Sequence, residues 1–410
     1  MKPILAVVPE HFAFRLRDLC RLHPVRAGDH FRLPSGPGRF VRRGKSRQCP
    51  RCAPGQRDKR VVPPGKLSFY FSGEDFFGKT RASVWYATMK IVSLQRGAIW
   101  SASPTPFAPD FHIDEDSVRR MVSHHVDLGV TGIMLAGTCG EGPWLRDADR
   151  EDLIRSAVAA AKGKLTIAVQ VTDNSALRVL HNIDRAAALG AAIAVVAAPP
   201  FFINATPARV TGHYAEIARG SALPLGLYDR GAHSPYVVPE SALADLLADP
   251  KFVLVKDSSQ QTPRTHAYLK ARDARSGLLL FSGSEFDCVD YLTAGYDGFL
   301  LGGAIFNGAM ALQIVAAFRA GDLAQATALQ ARMNDVMYRV YGGPKIECWM
   351  TGLKELLVQL GVFSSNRNLL GYPLTESCRA QITAAVNGSD GLGYRQDLLP
   401  SKRTSQPVAT

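Results

Sequence analysis

The sequence predicts an α/β protein built as a (β/α)8 barrel followed by a small C-terminal helical domain. Three observations predict it. Near-continuous apolar segments alternate with amphipathic ones, the pattern of a parallel sheet covered by helices. Eight apolar segments fit between residues 99 and 303, which suits a closed barrel rather than an open doubly wound sheet. Neither GxGxxG nor GxxxxGK[ST] occurs, so the nucleotide-binding alternatives lack their phosphate loop.

The first strand is IWSASP (99–104), followed by the helical pattern DEDSVRRMVSHHVDLG (114–129). GIMLAG (132–137) with DREDLIRSAVAAAKG (149–163) makes the second unit. LTIAVQV (165–171) with NSALRVLHNIDRAAALG (174–190) makes the third, its helix closed by Gly190 as a C-cap. AIAVVAAP (192–199), LPLGLYD (223–229), FVLVKDS (252–258), LLLFSGS (278–284) and DGFLLGG (297–303) are strands four to eight. Helical patterning then continues through 307–320, 322–341 and 345–361. A barrel needs one helix after its last strand, so the surplus forms the C-terminal domain. The barrel is expected over 97–306, its last helix and the helical domain over 307–392, and a tail over 393–410.

Composition excludes several classes. Of 410 residues 46% are hydrophobic, and no apolar run nears the roughly 18 residues of a membrane span. The opening MKPILAVVPEHFAF has no small-residue cleavage site. Seven cysteines, an odd number, are scattered and form no disulfide framework. A cytoplasmic protein is expected. The net charge of +12 is concentrated at one end: residues 1–88 carry 18 Lys+Arg against 6 Asp+Glu, and the remainder 30 against 30. That stretch is rich in Arg, Gly and Pro and lacks periodicity. It reads either as a disordered basic extension or as sequence upstream of a true start at Met89, where ordered patterning begins. Its CPRC (49–52) lacks a second ligand pair, so no metal is expected. It also lacks the aromatic–basic interleaving of a nucleic-acid surface. The neutral body suits a metabolic enzyme.

In a barrel, catalytic groups sit at the C-terminal ends of the strands. Strand two ends in AGTCGEGPWL (136–145), strand five in LGLYDRG (225–231), strand six in VKDSS (255–259) and strand seven in FSGSEFD (281–287). Lys256 closes a strand that otherwise carries only hydrocarbon, and a lysine is rarely buried without a partner or chemistry to do. A hydroxyl at Thr138, a phenol at Tyr228 and the amine of Lys256 thus gather at one mouth.

These residues carry a resemblance. From about 97 to 385 the chain resembles the family of dihydrodipicolinate synthase and N-acetylneuraminate lyase, the pyruvate-dependent class I aldolases, which are TIM barrels. GTCGE (137–141) is similar to that family's GTTGE or GSTGE loop, SGSE (282–285) to its SGDD or SGYD turn, and GLKELLVQLG (352–361) to its C-terminal helix. Tyr228 sits where the family's strand-five tyrosine begins a YNxP-like segment, and Lys256 where its Schiff-base lysine ends strand six. The chemistry fits. Desolvation of a lysine in an apolar strand disfavours the charged form and readies the amine to attack a ketone. Tyr228 is the expected proton shuttle, with Thr138 relaying to it. Backbone N–H groups of the Thr138–Cys139 turn are expected to hold the pyruvate carboxylate, with Gly137 and Gly140 permitting close approach. Gly283 and the backbone near Leu300 match positions that line the family's pyruvate pocket.

Departures from the family's pattern bear on the second substrate. Cys139, a weak donor, replaces the loop's second hydroxyl. The aromatic pair after strand four is Phe201–Phe202, where the synthases carry a relay tyrosine. His233 stands where they have an arginine for the second substrate's carboxylate. Arg230 either supplies a guanidinium instead or is a solvated loop residue. Trp144 either favours a bulky substrate or packs the barrel. The reading is a Schiff-base lyase acting through Lys256 on pyruvate or a 2-keto-3-deoxy acid, by aldol cleavage, condensation or dehydration. No cofactor or metal is implied, and the resemblance implies a homo-oligomer, tetramer or dimer. The alternatives are 4-hydroxy-tetrahydrodipicolinate synthase proper, using pyruvate and aspartate semialdehyde, and a non-catalytic 2-keto-acid-binding homologue. The aldehyde partner stays open.

Overall fold

A computed structural model describes residues 94–387. The expected basic extension, Met89, the CPRC pair and the tail lie outside the described residues. Eight parallel strands close into a barrel in sequence order: β1 (Ile99–Ala102), β2 (Gly132–Leu135), β3 (Thr166–Gln170), β4 (Ile193–Val196), β5 (Leu225–Asp229), β6 (Phe252–Asp257), β7 (Leu279–Ser282) and β8 (Gly298–Leu301). Each lies within its expected segment. Almost every strand residue is buried, because the lumen takes one face and the helices the other. Trp100 on β1 meets Phe281 on β7 edge to face inside, with ring centroids 5.9 Å apart.

The crossover helices are α1 (Glu115–Asp127), α2 (Asp147–Ala161), α3 (Ala176–Ala188), α4 (Pro207–Gly220), α5 (Glu240–Leu247), α6 (Thr262–Ala274), α7 (Cys288–Ala294) and α8 (Ala304–Arg319). Local chemistry sets their starts. Asp114 caps α1 by accepting from Ser117 N at 3.0 Å, and Ser175 caps α3 by accepting from Arg178 N at 3.3 Å. Beyond α8 lie α9 (Leu323–Tyr341), α10 (Trp349–Gln359) and α11 (Glu376–Asn387), which pack on one another. The last helical pattern, read from 345, begins as helix only at Trp349, because a turn with Ile346 in the left-handed region (φ 47°) intervenes. Among the described residues no helix is long and apolar enough to cross a membrane.

Candidate active site

The β5–β6 pair places the two central side chains. Tyr228 and Lys256 are direct partners in register, and Lys256 pairs with Phe281 on its other side. Both are buried, and Lys256 Nζ lies 4.2 Å from the Tyr228 ring centroid. Each is followed by a buried aspartate, which the two-residue period of a strand turns to the opposite face. Asp229 accepts from Gly231 N at 2.8 Å and from the side chains of Arg264 and Tyr268. Asp257 accepts from Ser259 N at 2.8 Å and from the Tyr296 hydroxyl. Burial pushes the Asp257 carboxyl up, with these bonds opposing it. The turns leaving β5 and β6 are therefore held from behind, which fixes Tyr228 and Lys256 in the lumen.

The loop after β2 brings Thr138 to Tyr228. Burial alone would raise the phenol's pKa. The Lys256 ammonium, a hydrogen bond with Thr138, the charge of Arg230 and a hydrogen bond with Ser258 outweigh it, and Tyr228 lies below the ordinary tyrosine range. The loop is tightly wound: Ala136 (φ 54°) and Glu141 (φ 57°) occupy the left-handed region. A Cβ on Gly140 would sit 2.9 Å from both Ala136 N and Ser103 O, so the chain passes there only without a side chain. Among the described residues, the N–H groups of Thr138 and Cys139 have no protein acceptor, leaving two donors at the end of β2. Gly137 is buried beside them. Burial pushes the Cys139 thiol up to about 12, so at neutral pH it keeps its proton.

An ion pair anchors this loop to the C-terminal helices. Lys354 on α10 donates to Glu141 at 2.5 Å, and both side chains have 0% exposure. Lys354 also donates to Arg367 O at 2.7 Å, and Glu141 accepts from Leu369 N. Gly283, after β7, leaves room for Lys256: a Cβ there would lie 2.9 Å from Lys256 Cε and 2.0 Å from Ser258 Oγ. Leu300 is fully buried on β8, paired with Trp100.

Thr138 also borders a cavity of about 280 Å³ whose lining includes Arg150, Gln170, Thr172, Arg178 and Arg230 but not Lys256 or Tyr228. Arg178 is tied to Asp173 at 2.8 Å, whereas Arg230 faces the cavity with no carboxylate partner among the described residues. His233 is exposed in the turn Gly231–His233 and does not line the cavity. Trp144 is 52% exposed at the rim and does not pack the barrel. Phe201 is likewise exposed, while Phe202 packs against the rings of His213 and Tyr236.

Several contributors were not singled out by sequence reasoning. Gln170 is buried with Oε1 unpartnered, and its signal was one amide in the apolar strand LTIAVQV. Ser258, Glu285 and the Glu141–Lys354 pair gave no local signal beyond the motifs containing them. Among the described residues no group of three or more His, Cys, Asp and Glu is arranged to hold a metal ion.

A model of the dihydrodipicolinate synthetase family matches residues 95–388. The chain is 30% identical over 210 residues to a 4-hydroxy-tetrahydrodipicolinate synthase of Stenotrophomonas maltophilia, covering 51% of this chain and 70% of that one. It is 28% identical over 274 residues to an N-acetylneuraminate lyase of Rhizobium meliloti, covering 67% and 84%. Among solved structures, the dihydrodipicolinate synthase of Bacteroides thetaiotaomicron superposes with a TM-score of 0.64 at 23% identity, covering 72% of this chain and 98% of that one. A prophage protein of the same family from E. coli K12, solved in complex with pyruvate, gives 0.63 at 20%, covering 70% and 96%. These structural likenesses establish the fold.

Proposed function

The chain belongs to the dihydrodipicolinate synthetase family, and from that premise we propose a lyase that works through a Schiff base on Lys256. The observation that carries this is the pairing of Lys256 with Tyr228 on adjacent strands, with the amine 4.2 Å from the phenol's ring, beside two unpartnered N–H groups. Those N–H groups bind the carboxylate of pyruvate or another 2-keto acid. Lys256 Nζ attacks the keto carbon, and Tyr228 delivers a proton to the departing hydroxyl, with Thr138 returning one. Loss of a methyl proton from the imine gives the enamine, whose carbon adds to an aldehyde. The reverse sequence cleaves an aldol, and the same intermediate expels a β-hydroxyl in a dehydration.

Gly137, Gly140, Gly283, Cys139 and Leu300 shape the keto-acid end of the site, and Arg230 serves the second substrate. Phe201–Phe202 offers no phenol, and His233 does not line the cavity, so a 2-keto-3-deoxy acid suits the mouth better than aspartate semialdehyde. The second reading, 4-hydroxy-tetrahydrodipicolinate synthase proper, is favoured by the 30% identity to the Stenotrophomonas enzyme. A coupled assay with aspartate semialdehyde separates the two.

Self-association is part of this reading. Trp144, Leu177, Phe201 and Ile203 are 52%, 78%, 63% and 71% exposed on the segments that follow β2, β3 and β4. Their burial against a second copy makes a homo-oligomer, which sedimentation tests. We place the enzyme in the cytoplasm, where its described thiols, all free, stay reduced.

The deciding experiment is borohydride reduction with pyruvate, followed by intact mass and peptide mapping. An adduct on Lys256 that Lys256→Ala lacks is the expected result. Absence of any adduct with pyruvate and other 2-keto acids leaves a barrel that binds without turning over.

A further inference from the structure

We propose that Glu285 is the base that takes the methyl proton from the Lys256-bound imine, converting it to the enamine, and that Tyr341 is its positioning residue. The proposal rests on Lys256 being the Schiff-base lysine and assigns the carbon-proton step, which Tyr228 leaves unserved.

Glu285 stands three residues past the end of β7, in the turn that leads into α7. One carboxylate oxygen accepts from Gly303 N at 2.6 Å and the other from the Tyr341 hydroxyl at 2.9 Å. Gly303 is the N-cap of α8 and Tyr341 the last residue of α9, so three elements fix the group in place. Its location follows from what surrounds the glycines. A Cβ on Gly302 would lie 3.8 Å from a Glu285 oxygen and 3.7 Å from Cys139 Sγ, so carboxyl and thiol flank one spot at the end of β8. A Cβ on Gly283 would lie 2.9 Å from Lys256 Cε, which brings the lysine to the same turn. The charges of Lys256 and Glu285 act on each other's surroundings here, and both act on Cys139.

The neighbouring titratable groups are unsuited to this step. Burial keeps Cys139 protonated at neutral pH. Asp229 and Asp257 face away from the lumen and are saturated by Arg264, Tyr268, Ser259 and Tyr296. Tyr228 is committed to oxygen, bonded to Thr138 and Ser258. Burial pushes the Glu285 carboxyl up, while the Gly303 N–H, the Tyr341 hydroxyl and the Lys256 charge pull it down. The net upward shift makes it a stronger base than an exposed carboxylate, and its remaining lone pairs stay open.

The step balances without any co-reactant. The C3–H bond breaks and its proton goes to a Glu285 oxygen. The C–H electron pair becomes the C2=C3 bond, and the C=N π pair returns to Nζ, discharging the iminium. In the cleavage direction the step runs in reverse. The protonated Glu285 carboxyl gives its proton to C3 of the enamine, the C2=C3 pair forming the new C–H bond and the Nζ pair restoring C=N. The imine is then hydrolysed, and the carboxylate takes up a proton from water.

Exchange of the pyruvate methyl protons in D2O, followed by proton NMR, reads this step alone and needs no aldehyde. Borohydride trapping on the same samples reports imine formation. In Glu285→Gln, which keeps the size, the amide oxygen can accept from Gly303 N while its NH2 donates to the Tyr341 hydroxyl oxygen, and the trapped adduct on Lys256 is expected to persist. Methyl exchange is expected to fall by about 10²-fold or more, the usual worth of a general base. Tyr341→Phe is expected to retain the adduct and slow exchange by a smaller factor. Wild-type exchange in Glu285→Gln, with the adduct present, overturns the proposal. Loss of the adduct in Glu285→Gln also overturns it, because the residue then serves imine formation. No adduct in the wild-type protein instead removes the Schiff-base reading on which the proposal stands.

Discussion

Lys256 and Tyr228 are register partners on adjacent parallel strands, and the amine sits 4.2 Å from the centre of the phenol ring. The ring face thus attracts the ammonium, while the hydroxyl, bonded to Thr138 and Ser258, is the part available for proton transfer. These two contributions separate in Tyr228→Phe. The ring and its packing remain, so stability should change by no more than about 1 kcal/mol, the net worth of a typical hydrogen bond. Adduct formation should slow by about 10²- to 10⁴-fold, the range for a lost acid–base group. The rate of borohydride-trappable adduct, compared with the denaturant midpoint, checks both halves. A variant that traps pyruvate at the wild-type rate removes Tyr228 from the mechanism.

Gly283 offers a steric test of the same pocket. A methyl group there would overlap Ser258 Oγ, at 2.0 Å, and press on Lys256 Cε, at 2.9 Å. Gly283→Ala should therefore displace Ser258 and Lys256, both of which act on Tyr228, and reduce adduct formation by about tenfold or more. The far-UV spectrum should stay unchanged, since the barrel strands themselves are untouched. Equal trapping rates in the variant and the parent would mean that the lysine does not depend on this clearance.

What the sequence made legible was whatever local periodicity and strand ends determine. FVLVKDS reads as a buried strand because both faces of a barrel strand are covered, and a lysine at its end is anomalous by burial alone. Tyr228 and Thr138 followed once the barrel rule placed strand ends at one mouth. Residues whose role depends on a distant partner were not legible. Nothing near Glu141 announces that Lys354, 213 positions later, pairs with it, and nothing in SGSE announces that Glu285 meets Gly303 and Tyr341. Sequence offset alone assigns His233 to the second substrate, whereas the turn that starts at Gly231 (φ 50°) leaves it exposed and leaves Arg230 on the cavity. The helix read from 345 started late for a similar reason, since a left-handed Ile346 carries no compositional mark.

The Glu141–Lys354 pair carries a stability prediction with a particular asymmetry. Both groups are fully buried, and burial lowers the Lys354 pKa against the pull of Glu141. Removing one partner leaves an uncompensated buried charge, so Lys354→Met should cost about 3–5 kcal/mol. Adding Glu141→Gln to it should recover part of that loss, because the stranded carboxylate is gone. Denaturant midpoints of the two single variants and the double variant form the cycle. Because Glu141 closes the Thr138–Cys139 loop, pyruvate affinity should weaken in Lys354→Met even where the protein remains folded. Additive losses across the cycle would mean the two residues are energetically independent despite their contact.

His125 predicts how the protein responds to acid. It lies on α1 with 0% exposure, its ring 6.4 Å from that of His124, and Nδ1 donates to Met121 O at 2.8 Å. Burial first, and the neighbouring His124 second, push its pKa from 6.5 down to about 3. His124 is shifted in the same direction by its own burial. The unfolded chain therefore takes up a proton that the folded chain refuses. Stability is fully present above about pH 6.5 and is lost as pH falls toward 3, at up to about 1.4 kcal/mol per pH unit for this one residue. His125→Gln removes the proton uptake. It should lower stability at pH 7 by about 1–3 kcal/mol through the altered buried contact, yet flatten the slope between pH 6 and 4. Urea midpoints measured across that interval give both numbers, and an unchanged slope would assign the acid sensitivity to other groups.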